Sequence, residues 1–246
     1  MTVKRSNNTL VEFDPFAGDV IEKIVPATES QKEIFASCVL GGENANLAYN
    51  LSLSLHFTGR LNENALRKSI GQLHQRHESL RATFTEDGAQ MIIYESRSVD
   101  LPHQNLEAFD KTAQQEILDQ YHEQNARSPF DLFNGPLTRF ALFRFSSEEY
   151  LLTITVHHII CDGWSLGILL EDLSRLYNAA CLGQLPAVKP LLFSDYVIRS
   201  VEYEQSKEYH EALNYWKREY QDDVPVFEIP SDFPAPARGT YTGTRE

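Results

Sequence analysis

His157-His158-Ile159-Ile160-Cys161-Asp162-Gly163-Trp164-Ser165 closes an uncharged run, Leu151 to Val156, that reads as a buried strand. Paired imidazoles therefore stand at a strand end, with a carboxylate and a glycine a few residues on. Side chains alternate faces along a strand, so His157 and His158 point in opposite directions if the strand runs through both. One of them is then structural and the other is free for chemistry. Imidazole has the side-chain pKa nearest neutrality and can take a proton from an attacking hydroxyl, thiol or amine. Asp162, so near in sequence, can orient a ring or be held by an arginine and lock the loop. Gly163 permits a tight turn or close backbone approach to a substrate, and Ser165 brings a hydroxyl to the start of the next helix.

Blander readings compete at each position. A lone histidine on an apolar strand is more often a hydrogen-bonded core residue, but the pair followed by Asp-Gly favours a site. Cys161 would need a neighbouring base to act as a nucleophile, and it fits better as a small apolar filler. Adjacent histidines lack the i, i+4 helical spacing of a zinc protease, and no cysteine cluster accompanies them, so no metal is expected.

Outward from the motif, helical periodicity marks Ser165 to Ala180, with Leu166, Leu169, Leu170, Leu173 and Leu176 on one side. Two further helices follow, about 192–203 and 206–220. Upstream, strands at 137–145 and 150–157 flank the polar turn Ser146-Ser147-Glu148-Glu149. A helix is predicted over about 109–125, and a hairpin over 79–85 and 89–95 around Glu86-Asp87-Gly88. Asn62 caps a helix reaching His77, and Leu51, Leu53, Leu55 and Phe57 alternate with polar residues on a half-buried strand over 47–58. The first helix runs from Thr28 to about Val39, with Gln31 in capping-box position and Gly41-Gly42 as its stop. Residues 1–25 read as a polar lead-in, residues 26–223 as a folded lobe and residues 224–246 as a Pro-rich extended segment. Strands interleaved with helices and hairpins indicate an α+β sandwich with a mixed sheet and flanking helices, not a doubly wound nucleotide fold.

The 246-residue chain carries 22 Lys+Arg against 35 Asp+Glu, a net charge of -13, which argues against a general phosphate-backbone binder. No nucleic acid is expected. No stretch approaches the ~20 apolar residues that cross a bilayer, and no leader is evident at Met1 to Asn8, so neither membrane insertion nor export is expected. Cys38, Cys161 and Cys181 form no close pair, which together suggests a reducing, cytoplasmic setting.

His157 to Ser165 resembles the HHxxxDG signature, in its HHxxxDGWS form, of nonribosomal peptide synthetase condensation domains. Arg76-His77-Glu78-Ser79-Leu80-Arg81-Ala82-Thr83-Phe84 is similar to the family's RHExLRxxF segment, and Thr28 to Phe35 to its first-helix motif. Phe193 to Val197, Tyr215-Trp216 and Ile229 to Pro234 are similar to later motifs in the same order. The resemblance spans residues 26 to 246, the first of the family's two lobes, and implies a chloramphenicol-acetyltransferase-like two-layer sandwich lobe that faces a C-terminal lobe not present in this sequence.

Such domains join a carrier-bound acyl thioester to the amine of a carrier-bound aminoacyl thioester in secondary metabolite biosynthesis. The implied partners are upstream and downstream carrier proteins, whose 4'-phosphopantetheine arms hold the substrates, together with neighbouring synthetase domains. No cofactor is expected to bind the chain directly. By resemblance His158 positions or deprotonates the amine, and Gly163, through its N–H, and Ser165 are candidates for holding the oxyanion. His157 and Trp164 are structural at the site, and Asp162 pairs with an arginine from Arg76 or Arg81.

Ile34-Phe35 and Arg199 depart from residues common in the family, and the Thr28 to Phe35 form is similar to domains that follow polyketide modules, implying a hybrid synthetase. Trp164 after Gly163 disfavours an epimerization domain, where valine is usual, and the histidines disfavour a cyclization domain. The first lobe alone is expected to be inactive. The alternatives are a stand-alone acyltransferase using coenzyme A and a non-catalytic scaffold that docks carrier proteins.

Overall fold

The computed structural model describes residues 19–184, 192–222, 230 and 232–234. Strand β1, Ile21–Pro26, leads through Thr28 into helix α1, Glu29–Ala48, and strand β2, Asn50–Thr58. Helix α2, Glu63–Arg76, and a short 3-10 turn, Glu78–Arg81, precede strands β3, Ala82–Phe84, β4, Gln90–Tyr94, and β5, His103–Asn105. Helix α3, Lys111–Ala126, is followed by the hairpin of β6, Thr138–Ser146, and β7, Glu149–His157. Helices α4, Gly163–Cys181, α5, Phe193–Glu204, and α6, Lys207–Glu219, complete the described fold.

The strands form a three-stranded sheet, β1-β4-β3, and a four-stranded sheet, β2-β7-β6-β5. The larger sheet is mixed, because β5 runs parallel to β6 while β2, β7 and β6 pair antiparallel. Along β7, Leu152, Ile154 and Val156 enter the main core with Leu66, Ile70 and Leu73 of α2 and Leu173 and Leu176 of α4. Burying each such side chain contributes about 1.5–3 kcal/mol. The opposite face carries Leu151, which packs with Leu106 and Phe143 beneath Ile117, Leu118 and Tyr121 of α3. Thr153 and Thr155 share that face and bond Tyr121 Oη at 2.9 Å and Asn125 Nδ2 at 2.7 Å. Burial on both faces explains why β7 reads as an almost continuous apolar run.

Three expectations are corrected. Residues 21–25 are not lead-in: they belong to β1, which pairs with β4 and buries only Val25, so its apolar pattern is too weak to read. The lead-in expectation for residues 1–18 lies outside the described residues. The helix predicted to stop at Gly41-Gly42 kinks there instead, with Gly42 at φ 69°, and continues to Ala48. Its second segment is fixed by Asn46, whose buried amide donates to Phe130 O at 3.1 Å and accepts from Phe130 N at 3.0 Å. Strand β2 therefore starts at Asn50 rather than Leu47. Strand β5 carries only exposed side chains and is held by backbone pairing to β6, so it gave no apolar signal. The Pro-rich segment at 224–246 lies almost wholly outside the described residues.

Candidate functional site

Register places Asn50 of β2 opposite His157 at the last pair of the β2–β7 ladder. The strand ends there, and the His158 backbone N–H donates to Tyr49 O at 2.8 Å. His157 is fully buried, between the rings of Tyr49 and Phe130, with Cys38 Sγ 3.8 Å from its Nε2. Its Nδ1 accepts the Ile159 N–H at 3.2 Å, which places the ring proton on Nε2. Burial lowers its pKa to about 4, helped by the charges of His158 and Arg139. His157 is thus a neutral core residue at neutral pH.

Ile159, Ile160 and Cys161 turn back into the core, which pins the loop and leaves Asp162 and Gly163 at the surface. Burial raises the Cys161 thiol to about 12 and the Cys38 thiol to about 11, so neither supplies a thiolate near neutral pH. Gln31 fixes the loop from the other side. It completes the capping box of α1 with Thr28 and donates through Nε2 to Ile159 O at 3.2 Å. The sequence marked only its cap, because the 128-residue separation of the second bond leaves no local trace.

His158 lines an open groove of about 430 Å³ between the first turn of α1, the Ile159 to Asp162 loop and one side of α5, with Ser165 at its edge. Among the described residues, nothing hydrogen-bonds the His158 ring, which lies edge-to-face with Tyr49 and lines the groove. Asp162 caps α4: its Oδ1 accepts the Ser165 hydroxyl at 2.6 Å and the Ser165 N–H at 2.7 Å. Those two bonds hold its carboxyl below the usual range, with a smaller contribution from His158. Gly163 and Trp164 then carry first-turn N–H groups with no partner among the described residues, at the positive end of a 19-residue helix.

Several sequence expectations change at this point. Asp162 does not pair with Arg76 or Arg81. Arg76 Nε reaches Asp172 Oδ2 at 2.7 Å, and His77 Nε2 reaches the same oxygen at 2.8 Å. Arg81 reaches Glu22 Oε2 at 2.5 Å and also the Tyr94 carbonyl. The reason is burial: Asp162 is solvated and capped, whereas Asp172, ten residues further along α4, is buried and needs compensation. The Ser165 hydroxyl donates to Asp162, so it does not offer that proton to an oxyanion. Gly163 does not make a left-handed turn, since positive φ occurs among the described glycines only at Gly42, Gly59, Gly88, Gly135 and Gly183. A Cβ added at Gly163 meets nothing within 4 Å, which leaves access as its contribution. Trp164 is 83% exposed and does not pack at the site.

No group of three or more His, Cys, Asp or Glu side chains able to hold a metal occurs among the described residues. None of the described helices is long and apolar enough to cross a membrane.

Comparison with known proteins gives the family. The chain is 30% identical over 224 residues to chondramide synthase cmdD of Chondromyces crocatus, covering 89% of this chain and 6% of that protein. It is 30% identical over 223 residues to malpinin synthetase of Mortierella alpina, covering 90% of this chain and 3% of that one. The fold matches the starter condensation domain of rhizomide synthetase RzmA, solved as a mutant with C8-CoA and Leu-SNAC, at TM-score 0.72 and 18% identity, over 81% of this chain and 46% of that one. The chain therefore spans about half of a solved condensation-domain chain and a small part of each of the two larger enzymes. The condensation domain family model matches residues 21–246, from the first strand of the fold onward, and the chain belongs to that family.

Proposed function

We propose that this chain is the first lobe of an amide-bond-forming condensation domain in a nonribosomal peptide synthetase. The observation that carries the reading is the contrast within the histidine pair: His157 is sealed and neutral, while the ring of His158 opens onto the groove. In this reading a carrier-bound aminoacyl thioester and a carrier-bound acyl thioester meet beside His158. His158 accepts a hydrogen bond or a proton from the attacking amine as the C–N bond forms. Its imidazolium then returns that proton to the thiolate released when the C–S bond breaks. The N–H groups of Gly163 and Trp164 face the developing oxyanion.

The related rhizomide starter domain, solved with C8-CoA and Leu-SNAC, supports an acyl thioester and an aminoacyl thioester as the substrate pair. The phosphopantetheine arms belong to the carrier proteins, so the chain needs no resident cofactor. Tyr215, Trp216 and Tyr220 are exposed and α6 buries nothing among the described residues. We read this face as one that the second lobe covers. The test is condensation by the intact domain with loaded carriers, wild type against His158→Ala, read by the mass of the extended product. Loss of product from a folded variant supports the reading, and undiminished product overturns it.

A further inference from the structure

Three consecutive side chains at the joint between α2 and the 3-10 turn brace different helices. Arg76 and His77 meet Asp172 on α4, as described above. Glu78 turns the other way and meets α5. Its Oε2 accepts the Ser194 N–H at 2.8 Å, and its Oε1 accepts from Lys23 Nζ at 2.6 Å and Ser194 Oγ at 3.2 Å. Helix α5 has no side-chain cap of its own, because Leu192 occupies the N-cap position. A carboxylate 116 residues earlier in sequence does that work instead.

Glu78 is only 2% exposed. Burial alone would raise its pKa, yet the bonds from Lys23 and Ser194 hold the carboxyl below its ordinary value. Buried ion pairs add little net stability compared with apolar residues of the same volume, so their retention calls for a geometric reason. That reason is visible on the far side of α5, where Phe193, Tyr196, Ser200 and Glu204 line the groove that holds His158. The helix is also anchored by Val197, buried in the core, and by Phe193, half-buried against it.

We propose that Glu78 is a positioning residue of the His158 groove, capping α5 from another element and so setting where the groove wall stands relative to the histidine. The proposal rests on the groove being the substrate site. His158 directly follows β7 and its backbone N–H is held by Tyr49 O, neither of which belongs to α5. Loosening α5 therefore disturbs the fit of whichever carrier-bound substrate lies along the wall, more than the proton transfer itself.

The experiment is steady-state condensation by the intact domain, varying each loaded carrier in turn. Glu78→Gln keeps the volume and one acceptor oxygen but removes the charge and the second acceptor. Its KM for one of the two substrates should rise about 10-fold with kcat within about twofold, in line with modest misplacement of a bound substrate. Ser194→Ala keeps the N–H and removes only the hydroxyl bonds, so the same KM should rise about threefold. If both variants lower kcat at unchanged KM, which is the mark of fewer folded molecules, or change neither constant, Glu78 has no positioning role. Should Glu78→Gln fail to fold, Ser194→Ala alone decides. His158→Ala run in parallel separates the two readings, since undiminished product from that variant removes the groove's catalytic reading whatever Glu78 does.

Discussion

The Ser165 hydroxyl and the Ser165 backbone N–H both donate to one oxygen of Asp162, at 2.6 and 2.7 Å. This closes the first turn of α4 and gives the aspartate of the histidine motif a local task. The serine proton is used in the same contact.

Replacing Ser165 with alanine should therefore lower kcat by no more than about threefold, whereas removing a true oxyanion donor costs on the order of 100- to 1000-fold. Steady-state condensation by the intact domain distinguishes the two.

Asp162→Ala should destabilise the domain by about 1 kcal/mol, the usual cost of losing an N-cap, and Asp162→Asn by a few tenths, since asparagine caps nearly as well. Urea midpoints at constant slope measure this. Equal and large losses in both variants would show that the charge itself matters, as an arginine partner would require.

His157 and His74 are both buried, and burial lowers both to about 4. Their unfolded forms bind protons near pH 6.5, so between roughly 6.5 and 4 the unfolded chain takes up protons that the folded chain refuses. Stability should be complete above that window and fall as the pH drops through it, by on the order of a few kcal/mol for the pair. Urea unfolding at half-unit steps checks the sign, and His74→Gln should reduce the slope by about one proton. A flat profile would contradict the buried neutral state.

Asp172 is shared by Arg76 and His77, and its loss leaves both without that carboxylate in a mostly buried place. Asp172→Leu should destabilise by about 3 kcal/mol, and the double variant Arg76→Met/Asp172→Leu by less. A double-mutant cycle in urea reads the coupling, and additive losses would remove it.

Gly88 sits at φ 67° with Phe35 Cδ1 only 2.3 Å from where a Cβ would stand. Gly88→Ala meets both backbone strain and the Phe35 ring, and should cost about 2 kcal/mol or more. A thermal midpoint within a degree of wild type would refute this.

What was legible in the sequence followed the strength of the local signal. The β6–β7 hairpin, α2 and α4 carry apolar positions at clean spacing, and their ranges fell within a few residues of prediction. Strands β1 and β5 are held mainly by backbone pairing and bury almost no side chains, so they left no pattern to read. Strand alternation predicted opposite fates for His157 and His158 only if the strand ran through both, whereas β7 ends at His157, and which one was sealed rested on resemblance. The pairing of Asp162 with Arg76 or Arg81, which rested on resemblance, was misread: Arg76 takes the buried Asp172 and Arg81 takes Glu22.

The sequence by itself determined the family, through short motifs each readable within a few residues, and the strand that delivers the histidines; that Asp162 caps α4 came from the structure. Only the tertiary structure decided that Arg76 and His77 take Asp172, that Gln31 holds the loop beyond the histidines and that Glu78 caps α5. Those contacts join residues 95 to 128 positions apart. They form because a buried polar group must find a partner wherever the packed chain brings one within reach.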